Sequence, residues 1–150
     1  GGSDDRARRR SAAFSAEAAR RGMGPDGGGD IPLLMVPAPT TLGSGRSSLI
    51  ELLERYPDTD GIFCSSDMLA LGVLTEAQAR GIAIPARLAV VGFGDLGFAR
   101  DLNPALTTVR IDGTATGSTA ARLIIERAEG RAVSEPVCDL GFSIVERASA

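Results

Sequence analysis

Short apolar runs alternate with stretches of helical periodicity along this chain, and this alternation restricts its fold more than any other feature. The predicted strands are the apolar runs at 31–36, 61–64, 88–93, 109–111, 137–140 and 142–145. The predicted helices, with apolar residues at helical spacing, are 4–22, 44–56, 68–80 and 114–129. Strands and helices that alternate in this way are typical of a parallel sheet covered on both faces. We therefore predict an α/β fold in which helices flank both faces of a parallel sheet.

The amino-acid composition excludes several kinds of chemistry. The chain has 150 residues, the size of one ordinary domain, and contains no His. Without His, the usual Ser-His-Asp and Cys-His triads, His-ligated zinc and imidazole acid–base catalysis are unavailable. All 16 basic residues are Arg, and the net charge of -3 gives no overall attraction to nucleic acid or anionic membranes. We expect neither a metal nor a cofactor, and we do not expect an enzyme.

The cysteines and the lengths of the apolar runs bear on the cellular compartment. Cys64 and Cys138 lie in apolar runs and are expected to be buried thiols in a reducing environment, with a disulfide between them as the alternative. The apolar runs are too short to span a bilayer, and no signal peptide is recognisable. These features predict a soluble, cytoplasmic protein without a membrane partner.

Gly92–Gly97 matches the G-x-G-x-x-G pattern of dinucleotide-binding turns. Such a site requires the glycines to open a helix whose amino end holds the pyrophosphate. Here Pro104 follows too soon for a full crossover helix, and the pattern lies on the third predicted strand rather than the first. We expect an ordinary glycine-rich loop; a nicotinamide-dependent oxidoreductase is the enzyme alternative.

Polar residues follow the second predicted strand, at the sheet edge where ligands bind in open parallel sheets. These are Ser65, Ser66 and Asp67; helix capping is the competing interpretation for Asp67.

The arginines of the first helix are expected to form a solvated face, because acidic residues share that helix and no aromatic residues alternate with them. Arg10 is the exception, since it lies one turn before Phe14 and can point into a cleft.

Five segments carry a resemblance to a known family, and they are Arg10–Phe14, Phe63–Gly72, Leu88–Asp95, Pro104–Arg110 and Gly141–Ser149. In order and spacing they resemble the effector-sensing domain of bacterial transcription regulators of the lactose/galactose repressor (LacI/GalR) type. The Ser-Ser-Asp and Gly-Phe-Gly-Asp motifs are most similar to the gluconate-regulator branch. The resemblance implies one lobe of a two-lobed, type I periplasmic-binding-protein-like domain.

The same resemblance implies that the chain is the carboxy-terminal portion of that effector-binding domain. Residues 1–108 and 136–150 would form the C-terminal lobe, and 109–135 the crossover segment of a mostly absent N-terminal lobe. The helix-turn-helix DNA-binding domain would be absent. Segment 114–129 then carries an apolar face without its natural partner, formed by Ala120, Leu123, Ile124 and Ile125. This helix is expected to repack, to pair with another chain or to be poorly ordered.

Ligand-binding residues are implied where the family motifs match. Arg10 stands where the family has an arginine that binds hydroxyls or carboxylates in the interlobe cleft, for which its planar fork is suited. Ser66 replaces a sugar-binding Asn, Gly94 replaces an Asp, and Asp95 either takes over from that Asp or the hydrogen bond is lost. Thr40 lies near a position that is often aromatic and stacks on a ring. These departures favour an open-chain sugar acid over a plain pyranose.

The function that the resemblance implies is small-molecule sensing within a LacI-type DNA-binding transcriptional regulator. The effector would be a sugar or sugar acid bound in the interlobe cleft, and the regulator would be a homodimer. Operator DNA would be bound only through the absent N-terminal domain. The alternatives are a solute-binding protein without a DNA function and an inactive truncated fragment.

Overall fold

The predicted order of helices and strands is largely reproduced in the computed structural model, which describes residues 5–24, 31–132 and 137–150. Helices α1 to α4 are Asp5–Arg20, Leu42–Arg55, Asp67–Ala79 and Gly113–Ala128. Strands β1 to β4 are Gly61–Phe63, Ala89–Phe93, Thr107–Arg110 and Ser143–Val145. All four predicted helices are therefore confirmed, with ends shifted by a few residues.

The strands form one sheet in the order β1-β2-β3-β4, flanked by helices. Strands β1, β2 and β3 are parallel, with Phe63 opposite Val91 and Phe93 opposite Val109. Strand β4 runs antiparallel to β3, so the sheet is mixed at this edge. An antiparallel edge strand on an otherwise parallel sheet is a common arrangement. The α/β prediction is confirmed.

The core lies where α2 and α3 pack together and α3 packs against β2. Its buried apolar side chains are Leu49, Cys64, Leu69, Ala70, Val73, Leu74, Ala77, Leu88, Val90, Ala99 and Leu106. Two glycines let the helices approach closely. A Cβ atom at Gly45 would lie 2.3 Å from the carbonyl oxygen of Leu69, and one at Gly72 would lie 2.2 Å from that of Leu42. A side chain at either position would push the helices apart.

The carboxy-terminal tail fixes the amino-terminal ends of β2 and β3. The buried Ser149 hydroxyl donates to the carbonyl oxygen of Val90 at 2.6 Å and accepts from the backbone N–H of Thr107 at 2.8 Å. The backbone oxygen of Ser149 also accepts from the N–H of Val90 at 2.7 Å. The last residues are therefore part of the folded unit.

Two predicted strands are wrong. Residues 31–36 form no strand, because Pro32 and Pro37 remove backbone donors from this stretch. Residues 137–140 form none either: Gly141 has a φ of 68°, and its N–H bonds to the Asp139 side chain, so a turn competes with pairing here.

The expectation of two buried thiols holds only for Cys64, since Cys138 is half-buried. No disulfide joins these two described residues. Within the described ranges, no helix has the length and apolar content needed to cross a membrane.

Candidate functional site

A cavity of about 780 Å³ opens between α1, the irregular segment 31–38, α2 and β1. This volume is in the range of small-molecule sites. Most of its lining is apolar, and its polar side chains include those of Arg10, Thr40, Ser65 and Ser66. An apolar cavity with a few converging polar groups is the usual form of a ligand site.

Among the described residues that line this cavity, Arg10 has the charged side chain. It extends from α1, where Phe14, one turn later, stacks on Phe63 of β1 with ring centroids 5.2 Å apart. One terminal nitrogen of Arg10 (Nη2) donates to the backbone oxygen of Ser65 at 3.4 Å, and the guanidinium carbon lies 4.2 Å from the centroid of the Phe93 ring. Its Nε is buried and has no hydrogen-bond partner among the described residues. A buried donor without a partner is unfavourable by about 1–3 kcal/mol, so a ligand oxygen that reached it would be bound favourably.

Ser66 immediately precedes helix α3 and follows Ser65, whose backbone oxygen accepts from the Arg10 guanidinium. It is the N-cap, and its hydroxyl accepts from the backbone N–H of Leu69 at 3.3 Å. The same hydroxyl lies 3.4 Å from that of Thr40. Arg10, Ser66 and Thr40 thus line one cavity.

Gly94 and Asp95 do not line the cavity among its described residues. The Asp95 carboxylate accepts from Arg110 at 2.6 Å and from Arg147 at 2.7 Å. Burial alone raises the pKa of Asp95, but hydrogen bonds from Arg147 and Arg110 outweigh it and hold this pKa below its usual value. Asp95 itself adopts a φ of 50°, an uncommon conformation that these contacts maintain. Its side chain connects the loop after β2 to β3 and to the tail.

Gly94 has a φ of 129°, a backbone conformation that side chains rarely adopt. An Asp at this position, as the resemblance describes for sugar-binding members, would be strained in this loop. The glycine and the pairing of Asp95 are therefore consistent with loss of that hydrogen bond rather than its replacement.

Asp67 has a role that the sequence-based interpretation missed. Ser66 provides the helix cap, whereas Asp67 is fully buried as the first residue of α3. Its carboxylate accepts from the Thr108 hydroxyl and from the backbone N–H of Leu96, both at 2.7 Å. A Cβ atom at Gly92 would lie 2.3 Å from the same carboxylate, which explains that glycine. Asp67 holds the loop after β2 against the start of α3, where Ser66 lies.

The remaining groups considered for chemistry are the buried thiol, the acidic side chains and the glycine-rich loop. Burial raises the pKa of the Cys64 thiol to about 12, and the charge of Asp67 contributes to this shift, so the thiol is neutral at physiological pH. Among the described residues, no three or more His, Cys, Asp or Glu side chains cluster where they could hold a metal ion. Gly92–Gly97 leads into turns instead of a helix, so the structural condition for a dinucleotide site is not met.

The arginines of α1 are arranged as expected for a solvated face. Arg8, Arg9 and Arg20 are exposed, as is Arg21 directly after the helix, and Arg9 pairs with Asp5 at 2.9 Å. Arg10 alone of the described arginine side chains on this helix is half-buried.

Comparison with known proteins decides the family. The sequence profile of the periplasmic binding protein-like domain matches residues 2–150. The chain belongs to that family. The transcriptional regulator GntR of Pseudomonas aeruginosa is 34% identical over 116 residues, which are 77% of this chain and 34% of that protein. This periplasmic-binding-protein-like chain thus spans about a third of the length of that curated relative.

Solved structures agree with this assignment. The transcription regulator GntR of Chromobacterium violaceum superposes with a TM-score of 0.88 at 33% identity, covering 97% of this chain and 52% of that one. A complex of the transcriptional regulator CelR with cellobiose superposes with a TM-score of 0.80 at 31% identity, covering 94% and 42%. These relatives are transcriptional regulators rather than enzymes. The resemblance to LacI-type regulators is confirmed.

Proposed function

We propose that this chain is the small-molecule sensing part of a LacI-type transcriptional regulator and binds a sugar or sugar acid in the cavity beside Arg10. The observation that carries the proposal is the buried Nε of Arg10, which has no partner among the described residues. Ser66 and Thr40 add hydroxyls that can donate to or accept from a ligand. The kinship with transcriptional regulators does not favour the alternative of a solute-binding protein without a DNA function.

A sugar acid fits these residues better than a neutral pyranose. A guanidinium binds a carboxylate through two parallel charge-assisted hydrogen bonds, which are stronger than bonds between neutral groups. Thr40 provides no ring for stacking on a pyranose. Gly94 has no side chain, and the Asp95 carboxylate is paired with two arginines, so neither supplies an acceptor for a sugar hydroxyl in this conformation.

The domain arrangement is part of the proposal. Residues 1–108 and 136–150 would form the C-terminal lobe, and 109–135 would cross to the N-terminal lobe. None of the residues of α4 is buried, and Ile124 and Ile125 are exposed, which supports a partner surface outside this chain. The regulator would be a cytoplasmic homodimer whose operator contacts lie outside these 150 residues. Ligand would change DNA binding through its different affinities for two lobe arrangements.

Calorimetric titration of the full-length protein with D-gluconate, and with D-glucose as the neutral probe, tests this function. We expect Arg10→Ala to weaken gluconate binding roughly 10- to 100-fold, because a hydrogen-bonded charge is lost. Arg9→Ala is the matched control on the same helix, since Arg9 is exposed and paired with Asp5. Unchanged gluconate affinity in Arg10→Ala would contradict the assignment.

A further inference from the structure

The ring of Phe93, the last residue of β2, lies against the guanidinium of Arg10, with 4.2 Å between the guanidinium carbon and the ring centroid. Phe93 is not among the described residues that line the cavity. We propose that Phe93 is a positioning residue: it fixes the plane of the Arg10 guanidinium for binding of an anionic ligand in the cavity. This inference rests on the proposed function of the cavity.

Arg10 and Arg147 are the half-buried arginines among the described side chains, and they are held differently. Arg147 is bound by the carboxylate of Asp95 at 2.7 Å, and the exposed Arg46 is bound by that of Glu76 at 2.8 Å. Among the described residues, no carboxylate pairs with Arg10, and its one hydrogen bond is the contact of 3.4 Å to the backbone oxygen of Ser65. The Phe93 ring therefore stands where other arginines of this chain have an acidic partner.

An aromatic face suits a cation that must bind an anion. A carboxylate partner would neutralise the guanidinium and occupy the N–H groups that the ligand needs. A ring attracts the cation through its π-electrons and adds no net charge. Because the N–H bonds lie in the guanidinium plane, a group packed on its face leaves its edge open for bidentate binding. Phe93 thus orients the Arg10 charge without competing for it.

The position of Phe93 makes it a rigid support. Strand β2 is paired on both sides, with β1 and with β3, and Phe93 lies opposite Val109 in that ladder. The next residue, Gly94, continues the pairing by donating its N–H to the carbonyl oxygen of Val109 at 2.8 Å. Side chains on central strands are held more precisely than those on loops. Arg10, which extends from α1, is therefore oriented against the sheet.

A double-mutant cycle in the full-length protein, measured by titration with D-gluconate, tests the inference. We expect Phe93→Leu to weaken binding roughly tenfold, the size of a desolvated cation–π contact. Phe93→Tyr keeps the ring and should retain wild-type affinity. In an Arg10→Lys background, where the planar group is already gone, Phe93→Leu should change affinity by less than about twofold.

The outcomes separate this inference from the proposed function. A full tenfold loss from Phe93→Leu in the Arg10→Lys background would overturn the positioning role, because a merely structural effect is independent of Arg10. Wild-type affinity in Phe93→Leu, with binding still lost in Arg10→Ala, would overturn it and leave the proposed function intact. Failure of the wild type to bind D-gluconate would count against the proposed function itself.

A measurement without ligand tests the stacking directly. The Nε–H resonance of Arg10 should show an upfield ring-current shift in the NMR spectrum of the wild type and of Phe93→Tyr. Phe93→Leu should abolish that shift. An Arg10 resonance at its random-coil position in the wild type would overturn the inference whatever the ligand does.

Discussion

Two regions of this molecule differ in how far their apolar side chains are buried. In the region from α2 to the start of β3, apolar residues of adjacent helices and strands bury one another, and Leu49, Leu88 and Leu106 are completely inaccessible. In the region of α4 and β4, no residue of the helix is buried. The large apolar side chains exposed there are Ile111, Ile124, Ile125, Val137, Leu140, Phe142 and Ile144.

The difference shows which region buries its apolar side chains within this chain and which region leaves them exposed. Contiguous exposed apolar surfaces are typical of protein–protein contacts, membrane contacts and ligand grooves. A helix that buries nothing gains little stability beyond its own propensity and caps. The α4 and β4 region is thus expected to depend on a surface that the first region does not need.

Core truncation gives the largest expected contrast between the two regions. In the 150-residue chain, Leu88→Ala should lower the free energy of unfolding by about 2–5 kcal/mol, because it removes buried methyl groups and leaves a cavity. Ile124→Ala, at a side chain that is 69% exposed, should change it by less than about 0.5 kcal/mol. Urea unfolding followed by circular dichroism measures both.

The same pair of variants in the full-length protein sharpens the comparison. If 109–135 crosses to a second lobe that covers α4, Ile124→Ala should there cost about 2 kcal/mol or more, like any buried isoleucine. Leu88→Ala should cost the same in both chains. An Ile124→Ala effect that stays small in the full-length protein would contradict the assignment of this segment to another lobe.

Replacing a glycine with alanine should change the stability less than core truncation does, and in opposite directions in the two regions. Gly45→Ala should destabilise the 150-residue chain by about 1–3 kcal/mol, because its methyl group would lie 2.3 Å from a backbone oxygen of α3. Gly117→Ala in α4 meets nothing within 4 Å and should stabilise by about 0.5–1 kcal/mol through helix propensity. Thermal unfolding measures both shifts.

Gly43→Ala is the matched control within α2. Its added methyl would be 3.7 Å from the Thr41 hydroxyl, an ordinary contact, so this variant should be neutral or slightly stabilising. Destabilisation by Gly43→Ala equal to that by Gly45→Ala would show that α2 rejects alanine for a reason other than its close approach to α3.

Local sequence signals were sufficient for the helices and for most of the sheet. Polar caps such as Ser66, helical periodicity and terminal glycines depend on residues within a few positions of one another. The segment 31–36 shows the limit: its apolar run favours a strand, but its prolines remove the donors that pairing requires.

Long-range pairing could not be predicted for the site. Phe93 of β2 contacts Arg10 of α1, which lies far earlier in the chain. Asp95 contacts Arg147, which lies 52 residues later. Such contacts depend on strand order and on the exact position of a loop, which periodicity does not specify. The resemblance could therefore indicate Arg10 and Ser66 as neighbours. It could not indicate that the Phe93 ring packs on Arg10, or that the Asp95 carboxylate binds two arginines.

The smallest expected effect concerns the link between the two regions. Asp95 follows the well-packed β2, whereas its partners Arg110 and Arg147 lie at the end of β3 and just after β4. Asp95→Asn should destabilise the 150-residue chain by roughly 1 kcal/mol at pH 7, since Arg110 is exposed to solvent and the amide can still accept a hydrogen bond from the less accessible Arg147. Asp101→Asn, at an exposed side chain 3.9 Å from Arg100, is the control and should change nothing.

The pH dependence of the stability tests whether the charge of Asp95 links the two regions. Because the pKa of Asp95 is lower in the folded protein than the value of about 3.9 for an unfolded chain, its contribution is fully present above that value. It is lost as pH falls through the folded-state pKa, where the carboxyl becomes protonated. The stability difference between wild type and Asp95→Asn should thus be constant from neutral pH down to about 5 and should shrink below about 4. A difference that persists undiminished at pH 2 would mean that Asp95 stabilises the loop by its shape rather than by its charge.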